Sequence, residues 1–135
     1  MALFPTMKKI LLDTHVVIWA ALGLPLGPQT RKLISEAETV YVSSLSILEL
    51  RIKQSSGKLP RVDQIIASLT EMNFLVLDFS AEQARTYSVF DPKNRDPFDN
   101  AITSLAVSQK LPFVTADRYI LALQIDGLRL IDARH

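Results

Sequence analysis

Short apolar runs of strand length alternate along this chain with stretches whose apolar residues recur at helical spacing. That alternation is the pattern of a parallel sheet covered by helices on both faces, because two parallel strands need a crossover, usually a helix, between them. Residues 8–12 read as a first strand, with a helix beginning near Thr14 and a loop over 23–28. Residues 28–37 read as a second helix with proline at its start, where the missing N–H costs nothing. Val40, Tyr41, Val42 and Ser43 make a strand of branched and aromatic side chains, and a helix follows over 45–54 until Ser-Ser-Gly stops it. Ile65, Ile66, Leu69 and Met72 repeat at helical spacing, and 74–77 returns to strand. Ser80 with Gln83 three positions on is a capping-box pattern that predicts a helix running toward Val89. After the polar turn 91–95, Asp96-Pro97 opens a helix with Ile102, Leu105 and Ala106 facing inward. Residues 113–114 are the next strand, Asp117 caps a short helix, and 128–131 are the last strand. The expectation is an α/β fold with a central parallel sheet of about five strands in a three-layer α/β/α arrangement.

The chain is one domain over residues 1–135, with 1–6 expected to be a dispensable extension and Met7 the true start. A hydrophobic content of 48% with 21% charged residues belongs to a soluble globular protein, and the apolar excess leaves room for a dimer interface. A net charge of +1 excludes a protein that binds nucleic acid by bulk charge, so any such contact must be local. With no cysteine, disulfides, zinc–thiolate sites and iron–sulfur clusters are ruled out, and a cytoplasmic location is the expectation. The apolar stretch 10–22 is interrupted by Asp13 and His15, which makes it too short and too polar to span a membrane and a poor signal peptide.

Acids are placed where the core should be. Asp13 and Asp117 come directly off apolar strands, and in an open α/β sheet the carboxyl ends of strands border the ligand crevice. Asp96 and Asp99 open a helix, and Glu49 sits between Leu48 and Leu50 on another. Singly, each has a plainer role. Asp13, Asp117 and Asp96 are favoured N-cap residues, Asp99 suits a helix macrodipole, and Glu49 could close a capping box with Ser46. Jointly they describe one site built from distant parts. Clustered carboxylates resist ionising together unless a cation neutralises them, and an all-oxygen donor set points to a hard divalent ion.

Four segments carry a family resemblance: Leu-Leu-Asp-Thr-His (11–15), Val-Ser-Ser-Leu-Ser-Ile-Leu-Glu-Leu (42–50), Arg-Asp-Pro-Phe-Asp-Asn-Ala-Ile (95–102) and Phe-Val-Thr-Ala-Asp (113–117). In that order, across residues 8–131, they resemble the PIN-domain ribonucleases, particularly the VapC-type toxins of bacterial toxin–antitoxin pairs. The resemblance implies a PIN-like fold and a metal-dependent endoribonuclease. It implies that Asp13, Glu49, Asp99 and Asp117 hold Mg²⁺ or Mn²⁺, with Asp96 as an additional ligand or supporting acid. Thr14 and Thr115 match positions where the family has a small hydroxyl residue beside the acids. Asn100 departs from the residue common after the second acid of its segment, which the resemblance connects with substrate contacts. The implied partners are an RNA substrate, a cognate antitoxin and a second copy of the chain in a homodimer or higher oligomer, with no membrane.

Among the cations, Arg95 and Arg118 flank the later acids and are the best candidates for RNA phosphate, while Lys53, Lys58, Arg61 and Lys93 read as solvated surface. His15 reads as a structural group and Trp19 as core, while Val16, Ile18, Leu22 and the helix near 64–72 could present partner surface. Competing functions are a catalytically silent PIN-fold RNA-binding or regulatory protein, a non-catalytic α/β binding domain with acids as caps, and a metal-dependent phosphatase. The phosphatase type that starts with Asp after the first strand needs a second Asp two residues later, where this chain has His15.

Overall fold

A computed structural model describes residues 8–135, so the expected dispensable segment 1–6 lies outside the described residues. The chain runs β1 (Lys9–Leu12), α1 (Thr14–Leu22), α2 (Pro28–Glu36), β2 (Thr39–Ser43), α3 (Ser44–Ser55), α4 (Val62–Glu71), β3 (Phe74–Leu77), α5 (Ala81–Arg85), α6 (Pro97–Gln109), β4 (Phe113–Thr115), α7 (Arg118–Leu121) and β5 (Leu130–Asp132). The five strands form one sheet in the order β3-β2-β1-β4-β5, and every pairing is parallel. The chain therefore winds outward on one side of β1 through β2 and β3, then returns to the other side for β4 and β5. The reversal falls between β1 and β4, which is the place where an open α/β sheet leaves a crevice at its carboxyl edge.

Strand period 2 divides the core into two layers. Ile10, Leu12, Val40, Val42 and Val114 face one side, where they pack with Val16, Val17, Leu50, Ile65 and Leu69 of α1, α3 and α4. Leu11 and Phe113 face the other side and pack with Ile102, Leu105 and Ala106 of α6 and Ile120 of α7. Burial on both faces explains why β1 reads Ile-Leu-Leu rather than alternating with polar residues. Each fully buried aliphatic or phenyl side chain contributes about 1.5–3 kcal/mol from removal of apolar surface from water. Val16 and Ile18 belong to this core, so they cannot present the partner surface expected of them.

Gly23 ends α1 in the left-handed region at φ 66°, where a side chain would be strained. Gly27 is required for a different reason: a Cβ there would run into the backbone of Arg134 and His135.

Two boundaries differ from expectation by two residues or more. The helix opened by Ser80 stops at Arg85 instead of running toward Val89. There the backbone N–H of Ser88 donates to Ser104 Oγ of α6 at 2.9 Å, which ties this segment to α6. Only half of the capping box forms: Ser80 Oγ accepts from the Gln83 N–H at 3.2 Å, while the Gln83 side chain accepts from Ser108 Oγ at 2.9 Å. The last strand begins at Leu130 rather than Leu128, because Gly127, at φ 83°, turns the chain and the Leu128 N–H donates to the Ile125 carbonyl at 3.0 Å.

Candidate active site at the carboxyl edge of the sheet

Strand β1 delivers Asp13 to the carboxyl edge, where its backbone N–H still donates to the Val114 carbonyl at 2.9 Å. That ladder bond sets β1 and β4 side by side and brings Asp13 against Thr115. Thr115 Oγ1 donates to Asp13 Oδ2 at 2.7 Å, and the Thr14 backbone N–H donates to Asp13 Oδ1 at 2.8 Å. Asp13 is only 3% exposed. Burial pushes its carboxyl above the ordinary value, against the pull of these two hydrogen bonds and of the nearby His15, and the charge of Glu49 pushes it further up. His15 itself is exposed.

The Asp99 carboxyl is raised from its ordinary 3.8 to about 7. Desolvation is the largest cause, followed by the charges of Asp13 and Asp96, with a smaller push from Asp117; a 3.3 Å hydrogen bond from Asn94 Nδ2 works in the opposite direction. Acids from β1, the mouth of α6 and the turn after β4 therefore feel one another although 86 positions separate the first from Asp99, by the difference of their residue numbers.

Capping accounts for part of this convergence. Asp96 caps α6, its Oδ1 accepting from the Phe98 N–H at 2.9 Å and the Asp99 N–H at 3.4 Å. Asp117 caps α7 through Oδ1, from the N–H groups of Tyr119 at 2.8 Å and Ile120 at 3.1 Å. In a parallel α/β fold every strand-to-helix turn lies at the same sheet edge, so acids chosen as caps after β1 and β4 gather there by topology. Glu49 and Asp99 escape that explanation. Asp99 accepts from a side-chain amide and caps nothing. Glu49 is 7% exposed, and α3 is capped by Ser43, whose Oγ accepts from the Leu45 N–H at 3.1 Å, so no capping box with Ser46 exists.

Ser46 has a role that its position as a supposed cap concealed. It is fully buried, and its Oγ lies 2.8 Å from Thr14 Oγ1, tying the first turn of α1 to the helix that carries Glu49. Thr14 is thus a strut between elements, and Thr115 is the direct hydrogen-bond partner of Asp13. The sequence signal was available, because Ser46 precedes Glu49 by three positions and so shares its helix face.

Asn100 braces the turn that precedes α6. It is 4% exposed, and its Nδ2 donates to the Asn94 carbonyl at 3.1 Å, while Asn94 Oδ1 accepts from the Asp96 N–H at 3.1 Å. The two asparagines brace the turn before α6 and hold Asp96 and Asp99 in place. Arg95 and Arg118 are exposed at the rim and form no ion pair among the described residues.

Among the described residues no three carboxylate or imidazole side chains form a ready-made ion cage. The chemistry of the donors nevertheless fits a hard cation. The groups are all carboxylates, two of them are pushed toward protonation by burial and by neighbouring negative charge, and a positive ion would relieve both. A groove of about 800 Å³, lined by Trp19, Leu24, Ile34 and Met72, borders Val40 and Phe74, near the opposite edge of the sheet.

The PIN domain family matches residues 10–125. No curated protein matches the chain. Among solved structures, the fold is similar to VapBC2 from Rickettsia felis bound to a DNA fragment from its promoter, at 19% identity and a TM-score of 0.67, over 93% of this chain and 98% of that one. It is similar to DNA-bound VapBC from Salmonella typhimurium at 24% identity and a TM-score of 0.65, over 93% and 98% of the two chains. A third likeness is to VapBC-5 from Mycobacterium tuberculosis, a member of the VapBC family of toxin–antitoxin systems, at 20% identity and a TM-score of 0.65, over 95% and 99%. Matched by the family over residues 10–125, most of its length, and folded like these structures, the chain belongs to the PIN domain family.

Proposed function

We propose that the protein is a metal-dependent endoribonuclease that hydrolyses RNA phosphodiester bonds and is the toxin of a type II toxin–antitoxin pair. The observation that carries this reading is the set of mutually repelling carboxylates at the point where the sheet reverses direction, with Asp99 pushed to about 7 by burial and by Asp13, Asp96 and Asp117. Family membership supports a nuclease, and likeness to VapBC complexes supports an antitoxin partner.

In this reading Asp13, Glu49, Asp99 and Asp117 hold Mg²⁺ or Mn²⁺, with Asp96 assisting. Such an ion, when bound, activates water and neutralises charge on the phosphate oxygens. The chain's own groups set up the site. Thr115 fixes the orientation of Asp13, Asn94 that of Asp99, and the Thr14–Ser46 strut the distance between α1 and α3. The N-termini of α1 and α6 place positive dipole ends beside the acids and favour their charged forms. Arg95 and Arg118 meet the RNA backbone at the rim, and water is the nucleophile, since no serine–histidine pairing stands at the site among the described residues. The protein acts in the cytoplasm, as a homodimer or higher homo-oligomer silenced by its antitoxin; no helix among the described residues is long and apolar enough to cross a membrane.

The test is purified wild type against Asp99→Asn on a pool of cellular RNAs, with Mg²⁺ and with chelator. Cleavage should require both Asp99 and the ion. Cleavage in chelator, or at the wild-type rate by the variant, would falsify the assignment. Metal binding without cleavage would favour the silent PIN-fold alternative.

A further inference from the structure

We propose that Lys53 is a displaceable counter-ion: its ammonium holds Glu49 in the cation-free protein, and a divalent ion that takes this carboxylate releases the ammonium toward the phosphates of bound RNA. The inference deepens the nuclease reading and rests on it.

The acids differ in what satisfies them. Asp13 accepts from Thr115 and the Thr14 N–H, Asp99 from Asn94, and Asp96 and Asp117 from the N–H groups of the helices they cap. Glu49 accepts no hydrogen bond from a side chain or a helix terminus among the described residues, and its one cation there is Lys53, with Nζ 3.5 Å from Oε2. The two side chains are 10% and 27% exposed, so the pair is largely withdrawn from water. Arg51 on the same helix shows the ordinary alternative, bonded outward to Asp63 at 2.7 Å with both side chains open to solvent.

A carboxylate this buried is costly without a partner, so in the cation-free state Lys53 supplies the charge that the site otherwise lacks. The same geometry makes it replaceable. The contact is longer than a good charge-assisted hydrogen bond, and the ammonium is a point charge on a four-carbon stem that swings by changing rotamers. A divalent ion on Glu49 repels the ammonium, and a liberated ammonium beside a phosphodiester site finds an anionic backbone. Because coupling between two ligands of one group is reciprocal, an ammonium that opposes the ion must also weaken its binding.

The test is calorimetric titration of MnCl₂ into the full chain as wild type, Lys53→Met and Lys53→Arg. Methionine keeps an unbranched apolar stem and removes the charge; Lys53→Gln takes its place should it fail to fold. Lys53→Met should bind Mn²⁺ about fivefold or more tightly, with Lys53→Arg close to wild type. At saturating metal, Lys53→Met should raise KM for a single-stranded oligoribonucleotide and reduce the slope of its log–log salt dependence by about one. Unchanged or weaker Mn²⁺ affinity in Lys53→Met overturns the counter-ion role alone, and an unchanged KM and salt slope overturns the release toward phosphate. A wild type that takes up no Mn²⁺ overturns this inference together with the nuclease reading.

Discussion

Replacing Asp99 by asparagine should make the metal-free protein more stable above neutral pH while destroying the site. Asp99 titrates near 3.8 when unfolded and at about 7 when folded, so between these values the folded state binds the additional proton. Stability is therefore lost as pH rises from about 3.8 to about 7, and the penalty is complete above the folded value. At about 1.4 kcal/mol for each tenfold change in proton affinity, the displacement sets a ceiling of about 4 kcal/mol. Asp99 is partly open to solvent, and screening of the neighbouring charges reduces the realised effect to about 1.5–2 kcal/mol. Asparagine is nearly isosteric and can still accept from Asn94, so the removed charge is the main change. For a domain of this size the gain corresponds to a Tm increase of about 5–8 °C at pH 8 in chelator. At pH 4 the two proteins should melt within about 1–2 °C of each other, the margin of a near-neutral surface change. The assay is a thermal melt at both pH values, repeated in MgCl₂, where wild type should recover stability by binding the ion and the variant should gain less. Asp13 is also pushed up by burial, but it is present in both proteins and cancels to first order. Equal Tm differences at pH 4 and pH 8, or a variant less stable at pH 8, would show that burial and the neighbouring carboxylates do not raise Asp99 as argued.

Two further variants test the scaffold. Ser46→Ala leaves the buried Thr14 hydroxyl without its 2.8 Å partner and should cost about 1–3 kcal/mol in urea unfolding, with Ser46→Thr retaining part of it; a cost below 0.5 kcal/mol would mean the strut is idle. Lys110 ends α6 in the left-handed region at φ 54°, so Lys110→Gly should stabilise by about 0.5–1 kcal/mol, and a destabilised variant would refute the strain.

Much of the fold was legible because strand and helix periodicities are local. Apolar runs such as Ile10-Leu11-Leu12 announce burial on both faces, and the crossover lengths force parallel pairing. The site acids stood out because each interrupts an apolar context, and Asp13 and Asp117 could be assigned to one sheet edge from the end of the strand they leave. Where element boundaries departed from expectation, the cause was a contact that periodicity does not encode, remote in one case and a local turn in the other. Val89 is excluded from α5 by the hold of Ser104 on Ser88, while the later start of β5 follows from the local turn at Gly127.

The amino-acid order settled which segments are strands, that the sheet is parallel, and which carboxylates lie against apolar surroundings, since all three follow from spacing along the backbone. Folding in three dimensions settled who neighbours whom: β4 beside β1, Thr115 on Asp13, Ser46 on Thr14, and the charges that act on Asp99. Such pairings join residues up to 102 positions apart, and no local periodicity encodes a distance of that kind. Proton affinity and ion affinity depend on those distances and on exclusion of water, so the chemistry of the site becomes visible only once the layers have closed around it.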